Sequence, residues 1–401
     1  MRIASLQRAA LWLLIASSAF VIVEPSPYEF FFVVVALIYG LRELRFDRSM
    51  ASLVIWPALF NVGGLLALVP YLDDRKAVTF VAISIYIAIT ALFFAGLIAK
   101  EPLGRMRTIR SAYVVSAFLA SCIGIIGYFN VAGLGEYFTL YGRASGPFKD
   151  PNVFGPFLVP PLVWLAQDML LKRRGSLTRG ALPLVVILLG LLLSFSRGAW
   201  GVWAASTALM VGLTFLTSQS AALRQRIVLL SVAGFAVIAL LLIVALSIPQ
   251  IRTVFEIRAS LNQEYDLGQF GRFGAQAQSI PMLLDLPFGF GPLQYHYHFF
   301  GVDPHETFIN AFASYGWLGG LSYLAFIAST LYYGSRLIFM RTPFQNEAIA
   351  VTSSLFVQIF QGFQIDTDHW RHLYLLFGAM YGLLAASRLT RRTDAISSTI
   401  K

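Results

Sequence analysis

Residues 227–248 read IVLLSVAGFAVIALLLIVALSI, twenty-two residues without a single charge. As a helix, a run of this length crosses the roughly 30 Å hydrocarbon core of a bilayer. A helix that is apolar all round is buried or lies in lipid. The rest of the chain carries the same signature. Of its 401 residues, 57% are hydrophobic and 12% charged, and its mean hydropathy is +0.70. A soluble domain holds about 25% charged residues. This composition excludes a soluble globular enzyme, a disordered chain and a disulfide scaffold. The one cysteine, Cys122, sits in an apolar run and allows neither an internal disulfide nor a cysteine metal cluster.

Working outward, twelve apolar runs are predicted, at about 9–24, 28–41, 51–72, 77–98, 111–130, 153–171, 180–195, 198–217, 227–248, 307–335, 347–364 and 370–387. Glu24-Pro25-Ser26-Pro27 follows the first run where a signal peptide would have small residues, so that run reads as a retained span. The second is short. Pro156, Pro160 and Pro161 should kink the sixth. Gln358, Gln361 and Gln364 recur every third residue of the eleventh, which predicts a face turned to protein or water. The tenth is too long for one straight span, and Gly316, Gly319 and Gly320 predict a short helix, a break and then the span.

Charge supports this map. With the N-terminus inside, alternation places 21 of the 30 Lys and Arg residues in inner segments and 9 outside. Every inner loop is then basic, as the positive-inside rule requires. The net charge of +10 is therefore assigned to cytoplasmic loops. No basic-aromatic module is present, so no nucleic-acid partner is expected. The expected fold class is all-α: a polytopic integral membrane protein, a single membrane domain over 1–401, with about 12 transmembrane helices. Both termini are expected in the cytoplasm. Two outer segments stand out, the loop at 131–152 and a long, ordered periplasmic loop at 249–306 before the tenth span.

All five histidines fall on the outer side, and there is no nucleotide-binding phosphate loop. Chemistry is therefore expected on the outer face. Arg197, in Ser194-Phe-Ser-Arg-Gly-Ala-Trp200, sits between two apolar runs with almost no loop around it. Such an arginine either snorkels to headgroups or pairs with an anion. Its planar fork suits a phosphate or diphosphate. Arg272 lies in the long loop, ahead of the turn Pro287-Phe-Gly-Phe-Gly-Pro292. His305 opens the tenth span, where it is either a surface histidine or a base near neutral pH. His296 and His298 with His305 match no metal-site spacing, so no metal is assigned. Gly146-Pro-Phe-Lys-Asp-Pro-Asn-Val-Phe154 is a turn cluster feeding a span. Gln364-Ile-Asp-Thr-Asp-His-Trp-Arg-His372 is the densest polar stretch of the outer face, serving either internal pairing or substrate binding.

In this order the pieces resemble the O-antigen ligase and O-antigen polymerase (Wzy-type) superfamily of bacterial envelope proteins. Four segments carry the likeness: 146–154, 194–200, Arg272 followed by 287–291, and Pro304-His-Glu-Thr-Phe308 with Gly316-Trp-Leu-Gly-Gly320. It covers about residues 140–330. The resemblance implies transfer of a glycan from an undecaprenyl-diphosphate carrier to an acceptor at the periplasmic face of the inner membrane. A ligase uses the lipid A core as acceptor, and a polymerase uses a second carrier-linked glycan. It implies His305 as the group activating the acceptor hydroxyl, and Arg197 and Arg272 as donor-diphosphate ligands. It also implies an inverting, metal-independent reaction with no cofactor. Arg143, Lys149, Asn152, Glu306, Asp368, His369 and Arg371 are candidate substrate-binding residues. The family often has Asn after its histidine, where this chain has Glu306. The partners expected are the carrier-linked glycan, its acceptor and membrane lipids. A secondary transporter or lipid flippase is the reading from another class, but the uncharged runs at 180–195 and 227–248 argue against charge placed at mid-membrane.

Overall fold

The computed structural model describes residues 2–23, 25–171, 176–259, 271–299, 301 and 304–399. In chain order its helices are α1 (Arg2–Ala16), α2 (Pro27–Tyr39), α3 (Ala51–Leu68), α4 (Arg75–Lys100), α5 (Pro102–Tyr128), α6 (Gly135–Phe138), α7 (Pro151–Phe157), α8 (Val159–Leu170) and α9 (Ser176–Leu193). They continue with α10 (Arg197–Thr217), α11 (Ala221–Leu246), α12 (Pro249–Ala259), α13 (Arg272–Leu284), α14 (Tyr295–His298), α15 (Thr307–Ile338), α16 (Gln345–Gln361) and α17 (Arg371–Thr399). Among the described residues the only sheet is a ribbon of β1 (Thr139–Leu140) and β2 (Arg143–Ala144). The all-α class is observed.

Eight described helices are long and apolar enough to cross a bilayer: Arg48–Tyr71, Arg75–Lys100, Pro102–Tyr128, Pro151–Leu170, Arg197–Thr217, Ala221–Leu246, Thr307–Ile338 and Arg371–Arg391. They match eight of the twelve expected runs. The second and seventh runs form shorter apolar helices, Pro27–Tyr39 and Gly180–Leu193. The first and eleventh runs fold as α1 and α16, outside both sets. Arg2, Gln7 and Arg8 interrupt one, and Gln345, Asn346, Glu347, Gln358 and Gln361 the other. Gln358 and Gln361 are buried, as their spacing predicts, whereas Gln364 is exposed. The described part of 249–306 holds α12, α13 and α14.

The chain forms two compact units. One comprises Met1–Arg42, Leu103–Ser260 and Ile349–Ser354. The other comprises Glu43–Pro102, Leu261–Ala348 and Leu355–Lys401.

In the first unit, α8 packs on α9 and α10, and α1 packs on α2. The expected kink appears as a break at Leu158, between α7 and α8. Pro161 has no N–H for the Phe157 carbonyl one turn back, and in lipid a bare carbonyl is costly. The Tyr113 hydroxyl donates to that carbonyl at 3.1 Å. Two buried arginines on α5 are likewise engaged. Arg110 meets the Asp168 carboxylate at 2.7 Å, and Arg105 donates to the Tyr39 hydroxyl at 2.8 Å.

In the second unit α3 lies against α15 and α4 against α17. With no hydrophobic drive between helices in lipid, small residues that let backbones approach supply much of the packing. Gly378 and Gly382 do so on α17. A β-carbon on either would stand 2.6 Å from the Ala91 carbonyl oxygen or 2.8 Å from that of Ala95. On the other helix pair, the Phe60 ring stacks on Tyr315 at 3.9 Å. The expected break in the tenth run is present: Gly316 has φ 64° and ψ −170° inside α15.

Candidate functional site

In the first unit the site is built on the β1–β2 ribbon, in which Leu140 pairs with Arg143. Its turn residues Tyr141 and Gly142 both have positive φ, at 52° and 68°, as a tight two-residue hairpin requires. The ribbon carries Arg143 into a buried position. Its Nε donates to the Ser194 carbonyl at 2.9 Å and its Nη2 to the Asn152 Oδ1 at 2.7 Å. Arg143 thus ties the 146–154 segment to the 194–200 segment.

The Ser194 carbonyl lies in the break between α9 and α10, where Phe195 has φ 46°. A helix end leaves carbonyls without intrahelical partners. Here Ser194 Oγ and Trp200 Nε1 both donate to the Leu191 carbonyl, at 2.6 and 3.0 Å, and Arg143 takes Ser194. Asp150 accepts from the Asn152 N–H at 2.7 Å to start α7, and Ser196 caps α10. Lys149 is exposed. Arg197 is half-buried as the first residue of α10, at the positive end of that helix. A helix N-terminus suits an anion. In the same unit a cleft of about 410 Å³ is lined by Tyr128, Asn130, Glu136, Thr139 and glycine backbone.

The second unit brings 304–307 and 362–370 together. The Thr307 N–H donates to the Gly362 carbonyl at 2.7 Å, and its hydroxyl to the Ile365 carbonyl at 2.9 Å. The Thr367 N–H returns a bond to Thr307 Oγ1 at 2.9 Å. Asp366 Oδ1 accepts from the Glu306 N–H at 3.1 Å. Glu306 is buried and caps α15 by accepting from the Ile309 N–H. Burial pushes its carboxyl above the usual range, and the N–H groups of Ile309 and Phe308 partly offset this.

Asp368 is buried, at 1% exposure, and His369 lies beside it. The His369 ring stacks on Phe80 at 4.0 Å. Its Nδ1 lies 3.1 Å from Asp368 Oδ2, and its Nε2 lies 3.1 Å from the Phe80 carbonyl. The Tyr315 hydroxyl lies 3.4 Å from the same Nε2, so both ring nitrogens face polar partners within the fold. Arg371 is half-buried as the first residue of α17, and His372 is buried.

His305 differs from all of these. It is exposed, has φ 44°, and no described residue makes a hydrogen bond to its ring. Arg272 opens α13, but its side chain lies outside the described residues. The 287–291 turn docks onto the break in α15. The Phe290 and Gly291 N–H groups donate to the Ala313 carbonyl, and the Trp317 N–H donates to the Pro287 carbonyl at 2.9 Å. A β-carbon on Gly316 would lie 2.6 Å from that Pro287 oxygen. Among the described residues, no group of three or more His, Cys, Asp or Glu side chains is placed to hold a metal ion.

Sequence reasoning missed Gln276, whose Nε2 donates to the Pro304 carbonyl at 2.6 Å. The available signal was its spacing, one helical turn after Arg272 on α13.

No protein-family model matches the chain, and no curated protein matches it either.

Proposed function

We propose that this chain is a membrane glycosyltransferase of the O-antigen ligase type, using an undecaprenyl-diphosphate-linked glycan as donor and the lipid A core as acceptor. In this reading the chain is a multi-pass protein of the bacterial inner membrane, both termini are cytoplasmic, and the reaction faces the periplasm.

The observation that carries the reading is His305: an exposed imidazole with no partner among the described residues, set on a tightly bonded segment at the start of α15. A neutral imidazole there accepts the proton of an acceptor hydroxyl as its oxygen attacks the anomeric carbon. The bond between that carbon and the diphosphate oxygen breaks, and the electron pair leaves on the diphosphate. Inversion follows from attack opposite the leaving group. Arg272, at the N-terminus of α13, is assigned to the departing negative charge, and the resemblance assigns Arg197, at the N-terminus of α10, to the donor diphosphate. The donor carries its own leaving group, so the reaction consumes no nucleotide. Buried Glu306, in the position where the family often has Asn, acts through the cap of α15 rather than as a hydroxyl-binding amide.

The test is glycolipid analysis of a strain lacking this protein, complemented with wild type or His305→Ala. The reading predicts that long glycan stays on the undecaprenyl carrier and is missing from lipid A in the deletion and the variant, and is restored by wild type. Lipid A bearing single repeat units, with single units accumulating on the carrier, would instead identify a polymerase. Normal glycolipids in the deletion strain would end both readings.

A further inference from the structure

We infer that Gln276 and Asp366 are positioning residues that hold His305 in its presented, left-handed backbone conformation. The functional meaning of this clamp rests on the reading of His305 as the base.

A non-glycine residue at positive φ is uncommon and persists only where its surroundings over-determine it. His305 has φ 44°, and its side chain supplies no bond to a described residue that would explain it. The constraint comes from the peptide groups on either side. On the N-terminal side, Gln276 Nε2 donates to the Pro304 carbonyl at 2.6 Å. On the C-terminal side, the Glu306 N–H donates to Asp366 Oδ1 at 3.1 Å. The next residue is fixed as well, through the Thr307 N–H to the Gly362 carbonyl and the reciprocal bonds of Thr307 with Ile365 and Thr367. Glu306 turns its own side chain inward to cap α15.

His305 is thus the exposed member of a segment whose neighbours are bonded to two separate elements, α13 and the 362–367 turn. Rotation of its backbone into the ordinary helical or extended region would move the Pro304 carbonyl or the Glu306 N–H away from its partner. The two clamps differ in chemistry. Gln276 acts as a donor, and Asp366 needs only an acceptor oxygen. Gln276 lies one turn along α13 from Arg272, so the helix that starts at the proposed diphosphate ligand also fixes the proposed base.

The experiment uses the full chain in lipid nanodiscs, with Gln276→Glu, Gln276→Ala, Asp366→Ala and Asp366→Asn. The local readouts are the ring resonance of His305, assigned by its loss in His305→Ala, and hydrogen exchange of a peptide covering 304–308. Gln276→Glu is nearly isosteric but puts an acceptor against the Pro304 carbonyl. It and Asp366→Ala should shift the His305 resonance and speed exchange at Glu306 by about tenfold, the loss of one hydrogen bond. In transfer assays kcat should fall about tenfold with KM within twofold of wild type, because the base is misplaced and not removed. Asp366→Asn keeps the acceptor oxygen and should restore the wild-type resonance, exchange and kcat. Folded Gln276→Glu and Asp366→Ala proteins with a wild-type His305 resonance and wild-type exchange would overturn the clamp. So would an Asp366→Asn protein as defective as Asp366→Ala, since the carboxylate charge would then be what acts. A wild-type protein with no transferase activity, whose His305 still responds to both substitutions, would remove the proposed reaction and leave the clamp standing.

Discussion

The ribbon around Arg143 and the segment around His305 are built to one plan and end with opposite results. Each lies where the chain breaks between helices, and each uses polar side chains to satisfy backbone groups that the break exposes. At the ribbon the charged residue itself is consumed. Arg143 is buried, and its guanidinium bonds to Ser194 and Asn152. At the second segment the work is done by Gln276, Glu306, Thr307 and Asp366, and His305 between them is left exposed. In a chain whose solvent is mostly lipid, polar residues between spans are required simply to pay for helix ends. His305, the residue proposed as the base, makes no such bond among the described residues.

Thermal melts of Arg143→Ala and His305→Ala should separate the two regions most widely. Arg143→Ala removes charged hydrogen bonds to a buried carbonyl and an amide, and should cost about 2–3 kcal/mol. His305→Ala should leave the melting temperature nearly unchanged, because the exposed ring has no partner among the described residues and alanine keeps the same β-carbon at positive φ. Equal destabilisation by both would erase the distinction.

Gly316→Ala tests the platform beneath the second region. The glycine's φ of 64° with ψ of −170° is open essentially only to glycine, and a β-carbon would meet the Pro287 carbonyl. A loss of about 2 kcal/mol is expected, with greater proteolysis at 287–291. Wild-type stability would mean that the turn does not depend on the break.

Arg197→Lys keeps the charge at the start of α10 and removes the planar fork. Transfer should fall about tenfold with insertion unchanged. Full activity would show that a point charge suffices, and would weaken the diphosphate assignment.

The smallest effect is expected from Glu306→Gln. Burial raises the Glu306 carboxyl, so the folded state holds that proton more tightly than the unfolded chain. Its contribution to stability is present below the ordinary carboxylate range and is lost as pH rises through the raised native value. Glutamine keeps the acceptor for the Ile309 N–H without the charge. The variant should therefore melt higher than wild type at pH 8, with the gain shrinking toward pH 4. Parallel pH profiles for the two proteins would show that Glu306 does not titrate in this way.

Much of the fold was legible because it follows from periodicity and from two residue types. The uncharged run at 227–248, the break at Gly316 and the break ahead of Pro160 and Pro161 could each be read from the chain. The span count was less legible. Apolar runs as short as 28–41 reach only thirteen helical residues, and the glutamine-bearing 347–364 run folds as a helix with a polar, buried side. The site was legible in residue type and not in role. The bonds of Arg143 to Ser194 and Asn152, of Asp368 to Asn310 and of His369 to Phe80 could not be read from the chain, because those partners lie elsewhere in it. Gln276 was hidden for the same reason: its partner is a carbonyl 28 residues away.

The most direct test of the account is a single-turnover assay with purified protein in nanodiscs, a carrier-linked glycan donor and a lipid A core acceptor, comparing wild type with His305→Ala at matched melting temperature. The account predicts that His305→Ala loses transfer by about a hundredfold or more while still holding the donor. Transfer at the wild-type rate by the folded His305→Ala protein would contradict it.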